Sequence, residues 1–335
     1  MLFKKSVGFL LIMLASAALS FGLFYKLSPK DDMTLFGKGN SYLKLWKKVD
    51  SCQNKGLTQS ALTIVEAIYE KAKSENNASQ FVKAVLNRMK FESYKEEFSL
   101  EKSIFKLRDE ANASKYPIKP VLQSILADAF WQYFQNNRWK FYDRTTTVGF
   151  KNDDIETWDL KTITNAVIVY YKASLENADS LKRTKIDIYD DVLNKGTQDC
   201  RYWRPTLYDF LAHRALSFFM SSELDLARPS AQFNVNNAEL SKPFSEFVNV
   251  KITNPSDSLE LKYYALKLMQ DLTLFHQKDE NANALIDVEL LRLDYVHRNS
   301  QNPKKDTLYF NALKFIQDKF SKNERVTEVD FRMAS

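Results

Sequence analysis

The chain is short of the residues that fix tight turns and chemical centres: its 335 positions hold seven glycines, eight prolines, two cysteines and three histidines. So little glycine and proline does not suit a β-sandwich or barrel, which needs a turn every ~8–12 residues, or a glycine-rich loop that cradles phosphate. Two cysteines, Cys52 and Cys200, are too few for a disulfide framework, and neither lies in a C-x-x-C pair. His213, His276 and His297 show no H-x-x-x-H or other ligand-like spacing, which argues against a zinc site. No G-x-S-x-G elbow or catalytic-cysteine signature occurs. What the chain has instead is apolar and aromatic bulk, 44% and 13% of its residues, enough for a sizeable core.

The formal charge is +6, of which Lys4, Lys5, Lys26 and Lys30 against Asp31 and Asp32 account for +2, leaving +4 on residues 33–335. A surplus that small, spread over the chain, is not the footprint of a nucleic-acid binder. Lys4 and Lys5 precede an apolar run from Val7 to Phe24, and Ala18-Leu19-Ser20 offers small residues for cleavage. Residues 1–32 therefore read as a secretory signal peptide or, uncleaved, as an N-terminal membrane anchor. This places the protein outside the cytoplasm, in the periplasm or cell envelope, with any membrane attachment made through that leader.

Beyond the leader the apolar period is helical, and the expected fold is all-α: a helical-hairpin, tetratricopeptide-like array with two long irregular loops and little or no β-structure. Residues 33–116 read as N-terminal hairpins. Leu43, Leu45, Trp46 and Val49 mark a first helix stopped at Gly56; Leu62, Val65, Ile68 and Tyr69 mark a second, with Ala61 and Ala67 suited to close crossing. The pair SQFVKAVLNRMKFESY and SLEKSIFKLRDEANAS follows. Residues 117–256 form a central region. A long helix opens at Pro117 and Pro120, another runs from about Thr157 to Ala173, and a shorter one over Asp187–Asn194 ends at Gly196. The loops at 145–156 and 223–256 interrupt it, and FVNVKI, residues 247–252, alternates as a short strand would. Residues 257–335 carry three more helices and end in TEVDFRMAS, which reads as a helix that has just begun, so that the native polypeptide is expected to continue.

Three stretches invite a chemical reading. RPTLYDFLAHRALSFF, residues 204–219, carries Arg204, Asp209, His213 and Arg214 on a helix apolar nearly all round; Asp209 and His213, four apart, are placed to hydrogen-bond each other as a buried pair. RWKFYDR, residues 138–144, interleaves Arg138, Lys140 and Arg144 with Trp139, Phe141 and Tyr142; the favoured reading is a helix end with aromatics inward and cations wet, over a base-stacking surface. Asn152, Asp153, Asp154 and Glu156 lack the spacing of a calcium loop and suit the start of a helix. No catalytic, cofactor-binding or metal residue is assigned from these patterns, and no cofactor is expected.

Taken together, GLTQSALTIVEAIYEKAKSENN (56–77), NNRWKFYDRTTT (136–147), DDIETWDL (153–160), RPTLYDFLAHRAL (204–216) and LKYYALKLMQDL (261–272) resemble the N-terminal helical region of bacterial α2-macroglobulin family proteins. The similarity runs from about Ser41 to the end of the chain. The resemblance implies a non-catalytic scaffold module of an endopeptidase inhibitor, whose partners are the macroglobulin domains C-terminal to it and a protease or envelope protein. The family's C-x-E-Q thioester motif has no counterpart here, since Cys52 is followed by Gln-Asn-Lys and Cys200 by Arg-Tyr-Trp. Two other readings stay open: a stand-alone exported helical-repeat adaptor, and, behind it, an all-helical glycoside hydrolase.

Overall fold

The computed structural model describes residues 39–94, 99–142, 154–194, 196, 200–223, 233–253 and 259–334. The fold is all-α, with no strand or sheet among the described residues. The chain divides into two compact units, the first comprising residues up to Ala178 with Lys185–Gly196, the second Asp179–Thr184 with everything from Thr197 onward. The leader lies outside the described residues; among these, no helix is long and apolar enough to cross a membrane.

In the first unit, α1 (Gly39–Asn54), α2 (Thr58–Ser74), α3 (Ala78–Glu92), α4 (Ser99–Ala113) and α5 (Ile118–Asn136) pack largely as sequence neighbours, followed by a short α6 (Arg138–Tyr142) and α7 (Leu160–Ala173). Gly56, at φ +72°, turns the chain from α1 to α2 in a conformation that a residue with a Cβ rarely adopts. Asn77 caps α3 by accepting a hydrogen bond from the Gln80 amide. The middle of the unit is α5, whose ILADAFWQYF segment buries residues on all sides and touches α3, α4, α6 and α7. Stacked rings of Phe130 with Trp158 and Tyr170 join it to α7 and the approach to that helix.

Several details differ from the periodic reading. The inward face of α1 is Tyr42, Trp46 and Val49, while Leu43 is exposed, because a stripe at i, i+4, i+7 excludes the residue beside it. Ala61 is fully buried at the crossing of α2, but Ala67 faces out. α7 starts at Leu160 rather than Thr157, since the Asp159 carboxylate accepts from the Thr162 amide and ends the preceding 3-10 turn, Ile155–Thr157. Over residues 187–194 there is no α-helix, only a 3-10 turn, Ile186–Tyr189; Gly196 has φ +63° but caps nothing.

The second unit holds α8 (Ala178–Arg183, all but its first residue), α9 (Cys200–Trp203), α10 (Leu207–Phe219), α11 (Phe244–Phe247), α12 (Leu261–His276), α13 (Asn283–Asn299), α14 (Lys305–Lys319) and α15 (Val326–Ala334). α10 packs on α12, α12 on α13, α13 on α14 and α14 on α15. Ile286, Leu290, Leu293, Leu313, Ile316 and Val329 form the core where the last three meet. FVNVKI is not a strand. Phe244, Phe247 and Val250 are buried at every third position, so the apparent alternation is one helical turn and its exit.

Candidate functional site

The centre of the second unit is built on α10, the helix of RPTLYDFLAHRALSFF. Its start is fixed by a reciprocal cap: the Asp209 amide donates to Thr206 Oγ1 at 3.2 Å, and Asp209 Oδ2 accepts from the Thr206 amide at 2.9 Å and from its hydroxyl at 2.8 Å. Pro205 stands just before this cap. The other Asp209 oxygen, Oδ1, meets His276 Nε2 at 2.7 Å, and His276 Nδ1 meets Asp279 Oδ2, also at 2.7 Å. Asp209 and His276 are almost fully buried, whereas Asp279 reaches solvent.

Both ring nitrogens of His276 face carboxylate oxygens, and a neutral imidazole has only one N–H to offer. The geometry therefore calls for the imidazolium. Burial opposes that charge, but the hydrogen bonds and charges of Asp209 and Asp279 outweigh it and raise the His276 pKa above the ordinary value. His213 behaves oppositely: burial, then the Arg204 charge, push it down to about 3 against the pull of Asp209, so it stays neutral. His213 Nε2 lies 3.7 Å from Asp287 Oδ2, outside hydrogen-bonding distance. The expected Asp209–His213 bond is thus replaced by Asp209–His276, because Asp209 turns toward the helix start to close the cap.

Chemically this is a chain in the order hydroxyl, carboxylate, imidazolium, carboxylate. Nucleophilic catalysis needs the imidazole between hydroxyl and carboxylate, where it can take the hydroxyl proton. Here Asp209 occupies that place and spends both oxygens, and the imidazolium has no lone pair with which to act as a base. The arrangement binds α10 to the C-terminal end of α12.

Two further clusters in this unit do similar work. Asp287 on α13 accepts from Arg204 Nε at 3.1 Å and Arg325 Nη2 at 3.3 Å, while the Arg325 guanidinium lies 4.1 Å from the centre of the Trp203 ring. Arg292, fully buried, donates to both oxygens of Glu289 and to the carbonyls of Leu240 and Lys242, and stacks on Phe247 at 4.1 Å. Thr273 Oγ1 donates to Glu289 at 2.9 Å, and Gln270 Nε2 donates to the carbonyls of Phe247 and Val250. Residues 238–250 of the second irregular loop are thus tied to α12 and α13. In the first unit, Glu110 accepts from Tyr69 Oη at 2.9 Å and Arg88 Nη2 at 2.6 Å, and Gln80 links the Trp46 indole N–H to Asp191.

The remaining stretches are placed as follows. In RWKFYDR, Phe141 is buried and Tyr142 packs edge-on against Phe134, but Trp139 is 63% exposed, so one aromatic does not turn inward. Asp154 caps the 3-10 turn through the Glu156 amide; Asn152 and Asp153, with the rest of the first loop before Asp154, lie outside the described residues. His297 sits apart from the other histidines, 2.7 Å from Asp306 and stacked on Tyr309. Cys52 and Cys200 are free thiols. The described residues hold no group of three or more His, Cys, Asp or Glu arranged for a metal ion.

Glu289–Arg292 and Thr206–Asp209 carried a signal in their i, i+3 spacing, the former on one helix face and the latter as a T-x-x-D cap. Asp279 carried none, lying in a polar turn. No family model, no curated protein and no solved structure matches the chain.

Proposed function

We propose that the chain is the N-terminal helical scaffold module of a bacterial α2-macroglobulin-like endopeptidase inhibitor, exported to the periplasm or cell envelope, and that it works by docking the domains that follow it or a partner protein. The observation that carries this reading is the use made of the buried charges. Asp209, His276, Glu289 and Arg292 are each consumed in joining one helix to another or to the 238–250 excursion. Such fully paired interior charges help specify how elements meet, and none of these four is free to attack a substrate. The phrases that resemble the family support the reading in the same way. GLTQSALTIVEAIYEKAKSENN, RPTLYDFLAHRAL and LKYYALKLMQDL fall on α2, α10 and α12, where Leu62, Val65, Ile68, Leu207, Leu211, Leu266 and Met269 are core.

The test is the size of the native polypeptide, read by immunoblot of the cell envelope with an antibody raised against residues 39–334. A band several times the 39.0 kDa of this chain is expected, with protease inhibition then sought in the remainder. A band near 39.0 kDa would overturn the module and leave the stand-alone adaptor.

A further inference from the structure

We infer that α1 docks on an anionic membrane surface through a stripe of four lysines. The inward face of α1 is fixed by Tyr42, Trp46 and Val49, with the Trp46 indole N–H donating to Gln80 of α3 at 2.6 Å. At about 100° per residue, Lys44, Lys47, Lys48 and Lys55 then fall within an arc of about 100° on the opposite side, Lys55 following in the turn that continues the helix. All four are exposed, and none makes an ion pair or hydrogen bond through its ammonium group with another described residue. This sets them apart from Lys71, Lys106 and Lys242, each held by a carboxylate within 3.0 Å.

The single acidic residue of α1, Asp50, lies at the edge of the stripe and is turned toward Lys83 and Lys90 of α3, whose charges it helps to hold. It does not neutralise the stripe. Leu43, 44% exposed, flanks the lysines on the same outer side and adds an apolar side chain where one would meet lipid.

The occupant follows from charge complementarity and from what precedes the helix. Clusters of basic residues close to a membrane-attached segment are drawn to anionic lipid over a distance of about one Debye length, ~8–10 Å. This inference rests on the leader reading for its location: residues 25–38, between the apolar run and α1, can span at most about 50 Å. An uncleaved leader would therefore keep the stripe within reach of the bilayer.

The full chain, reconstituted with phosphatidylcholine vesicles or with vesicles containing about one third phosphatidylglycerol, tests this by lysine acetylation read by mass spectrometry. Lys44, Lys47, Lys48 and Lys55 should be acetylated about fivefold or more slowly on the anionic vesicles, with the difference lost in 0.5 M salt. Lys251 and Lys322, exposed in the second unit, should react equally on both. The triple variant K44E/K47E/K48E, at exposed positions and with unchanged helicity expected, should sediment with neutral vesicles as the wild type does, while its Lys55 loses the protection that anionic vesicles give. Equal acetylation of the four lysines on both vesicles would overturn the inference. Failure of the chain to sediment with neutral vesicles would instead refute the membrane-anchored leader, and protection on anionic vesicles would then still stand for the stripe alone.

Discussion

At the scale of single residues the second unit depends on one imidazolium. His276 lies between two carboxylates, each 2.7 Å away, and one of these, Asp209, is buried and also closes the cap of α10. Removing one partner of a buried pair leaves the other charge without compensation. His276→Gln, which can donate to one carboxylate but carries no charge, should cost about 3 kcal/mol in urea unfolding at pH 6. Asp279→Asn, at the exposed end of the chain, should cost less than about 1 kcal/mol. The His276 pKa is raised in the folded state, so its contribution is whole below the unfolded value of about 6.5 and is lost as pH rises through the folded value. The gap between wild type and His276→Gln should therefore narrow toward alkaline pH. A gap that widens with pH would mean that the folded state holds His276 neutral.

At the scale of elements, the 238–250 excursion is held by Arg292 and Gln270 rather than by apolar contact alone. Arg292→Met should destabilise by about 3–5 kcal/mol, because Glu289 is left buried and charged without its cation. Adding Glu289→Leu should restore much of that loss, since replacing both partners of a buried pair by apolar groups is often close to neutral. Amide exchange over residues 244–250 should rise in the double variant even so, as the carbonyls of Leu240 and Lys242 lose their donors. A double variant as unstable as Arg292→Met would locate the cost in lost packing on Phe247 instead.

The same elements show what a sequence can disclose. Helices with an apolar face of regular period, such as α2, α7, α12 and α13, were legible because periodicity records burial directly. Where a helix starts was less so: Thr157 and Leu160 differ by the choice of which carboxylate caps, Asp154 or Asp159, and both are available in the sequence. FVNVKI looked alternating because Val248 is apolar, yet the buried positions are 244, 247 and 250. The partner of Asp209 was hidden for a different reason. A residue 67 positions away cannot be picked out by local spacing, whereas His213, four positions away, can be and is wrong.

At the scale of the whole molecule, all three histidines belong to the second unit, so the response to pH near neutrality should be confined to it. His276 sets the alkaline side of that response. His213 sets the acid side: held neutral, with a pKa depressed to about 3, it contributes stability above the unfolded value of about 6.5 that is lost as pH falls toward 3. The two windows meet near pH 6.5, where the second unit should be most stable. Hydrogen exchange of peptides from α10 and α12, corrected for the intrinsic rate, should be slowest there and quicken on both sides between about pH 5 and 8. Peptides from α2 and α5, in a unit with no histidine, should show no such optimum. His213→Gln should flatten the acid flank and His276→Gln the alkaline flank, each leaving the other in place. An optimum shared by α2 and α5 would show that the two units open together, and the charged clusters of the second unit would then govern the stability of the entire chain.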